Sequence, residues 1–256
     1  MIKFTIQHIK DFKQSKIVFP SITAYDYTSA QIVDECQIPL VLVGDSASMM
    51  VYGYDTTIPI SMSEMLLIVR AVTRGAKHSL VVADMPFLSY QPSIEETIKN
   101  AGLFLKEGGA SAVKLEGGIH VEKHISSLVN SGIPVLGHVG LTPQSYHQFS
   151  GYKIQGKTPR DAQKIIDDAM AVENAGAFGV VLECIPELLA KEITKKLTIP
   201  TVGIGSGNQC DGQIQVFHDI LGYSAARVPK HAKQYSNMYS SVLDVVKKYK
   251  LDIEKS

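Results

Sequence analysis

The chain has 256 residues, 45% hydrophobic and 20% charged, with 25 Lys plus Arg set against 25 Asp plus Glu. Such a chain can bury a large core without staples, and its balanced charge excludes a net basic field for nucleic acid or an anionic membrane. Three widely spaced cysteines, Cys36, Cys184 and Cys210, form neither a metal motif nor a disulfide framework, so a reducing, cytoplasmic setting is expected. The opening "MIKFTIQHIKDFKQSK" lacks the apolar core of a secretory signal, and no apolar stretch approaches the ~18 residues of a membrane span.

Short runs of Val, Ile and Leu recur along the chain. In order they are "FPSITAY" (19–25), "PLVLVGD" (39–45), "SLVVADMP" (79–86), "SAVKLEGG" (111–118), "IPVLGH" (133–138), "FGVVLEC" (178–184) and "IPTVGIG" (199–205). Each is too short for a helix and apolar on both faces, as strands of a covered parallel sheet are. "QIQVFHDILG" (213–222) is a weaker eighth run that reads equally as strand or helix.

Helical patterns separate these runs. "PSIEETIKNAGLFLKEG" has Ser93 as N-cap, Glu96 three residues on as a capping box, and Ile94, Ile98, Ala101 and Leu105 along one face. "TPRDAQKIIDDAMAVENAG" starts on Thr158 with Pro159 in the first turn and closes at Gly176. "PELLAKEITKKL" (186–197) and "SSVLDVVKKYK" (240–250) are amphipathic too. The alternation predicts one α/β domain over residues 1–256, a (β/α)8 barrel, with an open doubly wound sheet as the competing topology. The longest loop-like stretch is "HVGLTPQSYHQFSGYKIQGKTP" (138–159), and loops of that length in a compact domain are usually functional.

In parallel α/β architectures the C-terminal ends of the strands open on one face, where sites form. The run ends supply Asp45 with Ser46, Asp84, Lys114 with Glu116, His138 and Glu183. Each alone has a structural reading. Asp45 or Asp84 could cap a helix, Lys114 and Glu116 could pair, His138 could be a satisfied structural histidine, and Glu183 could bond backbone. Together, four carboxylates in a partly dry site repel one another, and a cation is the economical answer. Oxygen ligands without a cysteine or histidine pair suit Mg2+, or Mn2+, rather than Zn2+. Asp45 and Asp84 suit as ligands with Glu116 close or acting through water, Lys114 offers a charge for a substrate carboxylate, and Glu183 suits a general base. "GIGSGN" (203–208) lacks dinucleotide spacing and reads as close backbone approach more than as a phosphate cradle. Tyr25 and Asp26 are candidates for the rim, while Met49 and Met50 read as packing.

The motifs "TAYDY", "VGDS", "GYDTTIP", "AVTRG", "ADMPF", "AVKLEGG", "GHVGLTPQS", "GYKIQG", "VLECIP", "IPTVGIGSGN", "DGQIQVFHDILG" and "VPK" run in order from Thr23 to Lys230. In this the chain closely resembles the 3-methyl-2-oxobutanoate (ketopantoate) hydroxymethyltransferase family. The resemblance implies a (β/α)8 barrel related to the phosphoenolpyruvate/pyruvate superfamily. It also implies transfer of a hydroxymethyl group from 5,10-methylenetetrahydrofolate to 3-methyl-2-oxobutanoate, giving 2-dehydropantoate on the way to pantothenate and coenzyme A. Mg2+ as cofactor and a homo-oligomer, often a decamer, are implied as well.

Carried over by motif, "VGDS" makes Asp45 a metal ligand and Asp45 with Ser46 a substrate contact. "ADMPF" makes Asp84 a metal ligand and substrate neighbour. "VKLEGG" supplies Lys114 for the substrate and Glu116 at the metal, "GHVG" places His138 at the substrate, and "LEC" makes Glu183 the proton acceptor. The chain departs from the family at Ala47 and Ser48, where a Leu–Gly pair is usual, at "LLIV" (66–69), and at "VPKH" (228–231). Two rival readings are a Mg2+-dependent lyase of the isocitrate-lyase kind, whose catalytic cysteine motif is missing here, and a non-catalytic metabolite-binding barrel.

Overall fold

A computed structural model describes residues 2–224, 229 and 232–255, so of "VPKH" only Pro229 is described. These form two compact units, 1–214 and 215–256. The chain runs α1 (Ile6–Gln14), β1 (Phe19–Thr23), α2 (Tyr27–Glu35), β2 (Leu40–Val43), α3 (Ala47–Met50), α4 (Met62–Gly75), β3 (Leu80–Asp84), α5 (Ile94–Lys106), β4 (Ala112–Glu116), α6 (Glu122–Asn130) and β5 (Val135–Gly140). There follow α7 (Tyr146–Phe149), α8 (Pro159–Asn174), β6 (Gly179–Glu183), α9 (Glu187–Lys196), β7 (Thr201–Ile204), β8 (Gly212–Gln215), α10 (Phe217–Leu221) and α11 (Met238–Glu254). Among the described residues β1 to β8 close in sequence order into one barrel, which excludes the open doubly wound sheet. The ambiguous run 213–222 is both things at once: β8 ends at Gln215 and a short helix follows.

Helix starts follow local chemistry. Ser93 Oγ accepts from Glu96 N at 3.1 Å, and Thr158 Oγ1 accepts from Asp161 N at 3.2 Å, each satisfying an orphan first-turn donor. Asp26 caps α2 by accepting from Ser29 N at 2.8 Å, so its place is structural while Tyr25 turns inward.

A two-residue period along the strands fills the barrel. Leu40 and Leu42, Leu80 and Val82, Ala112, Leu136, Val181, Val202 and Ile214 form one buried cluster. Ile9 of α1 and Phe19 join it, with Phe4, Ile6 and Phe12 packed behind. These residues lie mostly toward the strand starts, so α1, which the sequence reading left without a role, plugs that end. Lys13 Nζ fastens the plug by donating to Asp211 Oδ2 at 2.8 Å and to Thr194 O at 2.9 Å. Continuing the same inward period toward the strand ends reaches Asp84 after Val82, Lys114 and Glu116 after Ala112, His138 after Leu136, and Glu183 after Val181. The apolar layer below and the polar layer above are therefore one pattern.

On the second unit, α11 has no buried residue, and Val245, Val246 and Tyr249 are more than half exposed. Among the described residues no helix is long and apolar enough to cross a membrane.

Asp34, at the end of α2, ties that helix to the start of β3. Its Oδ1 accepts from His78 N and Ser79 N, each at 2.8 Å, and its Oδ2 lies 2.8 Å from His78 Nδ1. Burial opposes the charge, but the bonds from Ser79 and His78 outweigh it and hold the carboxyl at about 2. A depressed native pKa contributes stability that is present above the unfolded value and lost as the pH falls through the native one. We therefore expect Asp34 to contribute about 2 kcal/mol near neutrality. In urea titrations the stability gap between the native chain and Asp34→Asn should narrow steadily from about pH 5 down to about pH 2. A gap independent of pH would show that the carboxylate charge is not what holds the joint.

Candidate active site

Strand register explains the first contacts at the barrel mouth. Asp84 is the register partner of Lys114, and Lys114 Nζ donates to both its oxygens at 2.8 and 2.9 Å. Glu116 is the register partner of His138, whose Nδ1 lies 3.4 Å from Glu116 Oε1. The other ring nitrogen, Nε2, lies 3.2 Å from Glu183 Oε2. Gly140 makes that approach possible: its φ is +95°, and a Cβ there would meet the Glu183 carbonyl oxygen at 2.4 Å. Asp45 comes from the turn after β2, not from the strand, and its backbone N donates to Asp84 Oδ2 at 3.2 Å. All six sequence-predicted side chains Asp45, Asp84, Lys114, Glu116, His138 and Glu183 thus meet in one place. Neither Asp45 nor Asp84 caps a helix, and Ser46 reaches the same rim through a 2.8 Å hydrogen bond between its Oγ and the Tyr25 hydroxyl.

Two residues that sequence reasoning missed hold this set together. Gln144 donates from Nε2 to Asp45 Oδ2 and to the Met85 carbonyl, both at 2.9 Å, and its backbone N donates to Glu116 Oε2 at 3.0 Å. The buried Tyr90 hydroxyl donates to Gln144 Oε1 at 2.9 Å and lies 3.0 Å from the Glu116 carbonyl. The signal for Gln144 was its position inside the long 138–159 stretch. Tyr90 gave none, because a buried tyrosine after a strand reads as packing.

The electrostatics follow from burial. Asp45, Asp84, Lys114, Glu116 and His138 are each less than 5% exposed. Burial would lower the Lys114 ammonium, but the Asp84, Glu116 and Asp45 charges outweigh it and keep it protonated. Burial would likewise lower His138, yet Glu116 and Glu183 raise it to about 9. Burial, Asp84 and Glu116 push the Asp45 carboxyl well above the carboxylate range. The neighbouring thiol of Cys184 is pushed up to about 12 by burial and by Glu183, so it is no thiolate nucleophile.

Some polar atoms remain unsatisfied. Glu116 Oε1 and both His138 nitrogens are buried without a well-formed hydrogen bond. Native interiors rarely leave such atoms bare unless a ligand, water or ion is meant for them. Among the described residues no group of three or more His, Cys, Asp or Glu side chains is arranged as a ready-made metal cage.

The remaining candidates resolve as structure. In "GIGSGN", a Cβ on Gly207 would fall 2.4 Å from Glu187 Cγ, and Glu187 Oε1 accepts from Asn208 N at 3.5 Å. A carboxylate already faces those amides, which suits close backbone approach and opposes a phosphate. Ser48, in place of the glycine usual in the family pattern, buries its hydroxyl against the Thr56 carbonyl at 2.7 Å. That bond ties Ser48 to the loop after β2 without entering the carboxylate set.

Comparison with known proteins agrees with this picture. A family model described as ketopantoate hydroxymethyltransferase matches residues 3–256. Curated proteins named 3-methyl-2-oxobutanoate hydroxymethyltransferase are similar along nearly the whole chain. That of Carboxydothermus hydrogenoformans is 50% identical over 99% of this chain and 92% of its own length. That of Thermosipho africanus is 49% identical over 98% of this chain and 94% of its own. Among solved structures, phosphonopyruvate hydrolase in complex with oxalate and Mg2+ superposes with a TM-score of 0.64 at 14% identity, covering 100% of this chain and 88% of that one. A 2,3-dimethylmalate lyase, a member of the PEP mutase/isocitrate lyase superfamily, gives 0.62 at 12% identity over 98% and 88%. At such identities these two structures speak for the fold.

The Gln144 clamp is testable by itself. Gln144→Ala leaves Asp45 Oδ2 and the Met85 carbonyl short of a donor, which should cost about 1–3 kcal/mol in urea unfolding. A loss within error would mean that water replaces the amide and that the clamp is not structural.

Proposed function

We infer that this chain, which belongs to the ketopantoate hydroxymethyltransferase family, transfers a hydroxymethyl group from 5,10-methylenetetrahydrofolate to C3 of 3-methyl-2-oxobutanoate, giving 2-dehydropantoate. One observation carries the reading. Every residue carried over from the family motifs lies at the same barrel mouth, with Glu183 Oε2 3.2 Å from His138 Nε2. The exposed apolar residues of α11 support the homo-oligomer that the family likeness suggests.

The residues fit a hard divalent cation. Oxygen donors predominate, Glu116 Oε1 is buried without a well-formed hydrogen bond, and the Asp45 carboxyl is raised by burial and by its anionic neighbours Asp84 and Glu116, a repulsion that a cation relieves. Magnesium commonly takes one or two protein carboxylates and keeps positions for water and substrate oxygens. We assign it to Asp45 and Asp84, with Glu116 beside them. When bound, Mg2+ would act as a Lewis acid that withdraws charge from the keto group of an oxo acid.

The chain's own residues do the rest. Lys114, already paired with Asp84, supplies positive charge for the substrate carboxylate. Ser46 and His138 line the same space, and His138, charged near neutrality, orients Glu183. Glu183 takes the proton from C3. C3 then bonds to the methylene carbon as one C–N bond breaks, and the proton that Glu183 took passes to that nitrogen; water supplies the hydroxyl that replaces the other C–N bond, its remaining proton going to the second nitrogen. A positioned base contributes roughly 10²–10⁴-fold, or about 3–5 kcal/mol, so charge stabilisation and alignment must supply most of the acceleration. Cys36, Cys184 and Cys210 sit in no lid-loop cysteine motif of the lyase kind, which argues against that reading.

Product assays with and without methylenetetrahydrofolate should show 2-dehydropantoate only in its presence. Cleavage products without it would favour the lyase, and silence in both would favour a binding protein. Glu183→Gln should keep Mg2+-dependent binding of the oxo acid while C3 hydrogen exchange with D2O falls by about 10²–10⁴-fold. Exchange at the normal rate would remove Glu183 as the base. Asp84→Ala should weaken Mg2+-dependent binding in calorimetric titration, and an unchanged titration would remove it from the metal shell.

A further inference from the structure

The segment after β5 is anchored at both ends on the active site. At one end the Gln144 backbone N donates to Glu116 Oε2 at 3.0 Å, and at the other Gln155 N donates to the carbonyl of Cys184, next to Glu183, at 2.9 Å. Between the anchors, Tyr152 packs edge-on against Tyr146, with ring centroids 5.0 Å apart. Its hydroxyl reaches Met49 Sδ of α3 at 3.7 Å. In a ring of eight sequential strands, β2, which leads into α3, stands four places from β6, to which the segment is tethered. A contact between the two sides therefore crosses the mouth of the barrel.

From this geometry we propose that Tyr152 roofs the active site and decides the fate of the deprotonated oxo acid between carbon transfer and water. The ring lies close enough to the acidic cluster that burial and the Asp45 and Glu183 charges push its hydroxyl up to about 12, so it stays neutral. It is still 45% exposed, so it forms the outer surface of the roof as well as its lining. With the roof in place, the carbon nucleophile meets the methylene donor in a site poor in water. With the roof removed, water reaches C3 first and returns a proton. One C–H bond has then broken and another formed, with no net product.

The proposal rests on the reaction assigned above, and one experiment separates the two. C3 hydrogen exchange of 3-methyl-2-oxobutanoate in D2O and formation of 2-dehydropantoate with methylenetetrahydrofolate are measured side by side. The enzymes are the unmutated chain, Tyr152→Phe, Tyr152→Ala and Met49→Ala, all with Mg2+. Tyr152→Ala should keep exchange within a few-fold while transfer falls about tenfold or more. Met49→Ala should shift the ratio the same way by less, and Tyr152→Phe should match the unmutated chain. An unchanged exchange-to-transfer ratio in Tyr152→Ala, whether both rates persist or both fall together, overturns the proposal. So does a Tyr152→Phe that behaves like Tyr152→Ala, because the ring would then not be the roof. If Tyr152→Ala fails to fold, Tyr152→Leu is read by the same ratio. Absence of exchange in the unmutated chain would instead sink the assigned reaction.

Discussion

Four carboxylates share a small, largely dry volume with one lysine and one histidine, and that excess of negative charge is the constraint on which the rest depends. Asp84 is neutralised directly by Lys114, and Glu116 and Glu183 lie on either side of the imidazole of His138. Asp45 is left over, held by an amide from Gln144 and pushed toward its neutral form. An arrangement of this kind is stable only if something else shares the charge. The same imbalance that makes the resting site costly makes it receptive to further positive charge.

The barrel pays for this with its lower half. Inward positions near the strand starts are Leu, Val, Ile and Phe, sealed by α1, while inward positions two residues further on carry the charges. Because the strands are parallel, every run delivers its polar residue to the same end. Apart from Asp45, which the turn after β2 supplies, the charged set is therefore placed by sheet geometry, and the other loops act on it. Gln144 and Tyr90 fix the carboxylates from the side, and the stretch between Gln144 and Gln155 passes over the top.

Two backbone exceptions fall at the site. Gly140 takes a positive φ so that β5 and β6 approach closely at His138 and Glu183. Directly after Glu183, Cys184 has a φ of +47°, a conformation that costs a non-glycine residue roughly 1–3 kcal/mol. Its N–H and carbonyl are both bonded, to Ile204 O and Gln155 N, so neighbouring strands and the covering segment hold the turn in place. That turn aims the chain away immediately after Glu183.

The sequence by itself determined the alternation of elements, the caps at Ser93 and Thr158, and the set of polar residues at the run ends, because period and cap chemistry are local properties. It also carried the family likeness, since ordered motifs need no coordinates. Barrel closure, the plugging of one end by α1, the Gln144 clamp and the passage of Tyr152 to Met49 were decided only by tertiary structure. Each joins residues far apart along the chain, and no local pattern records which distant partner a buried amide or an aromatic ring will meet.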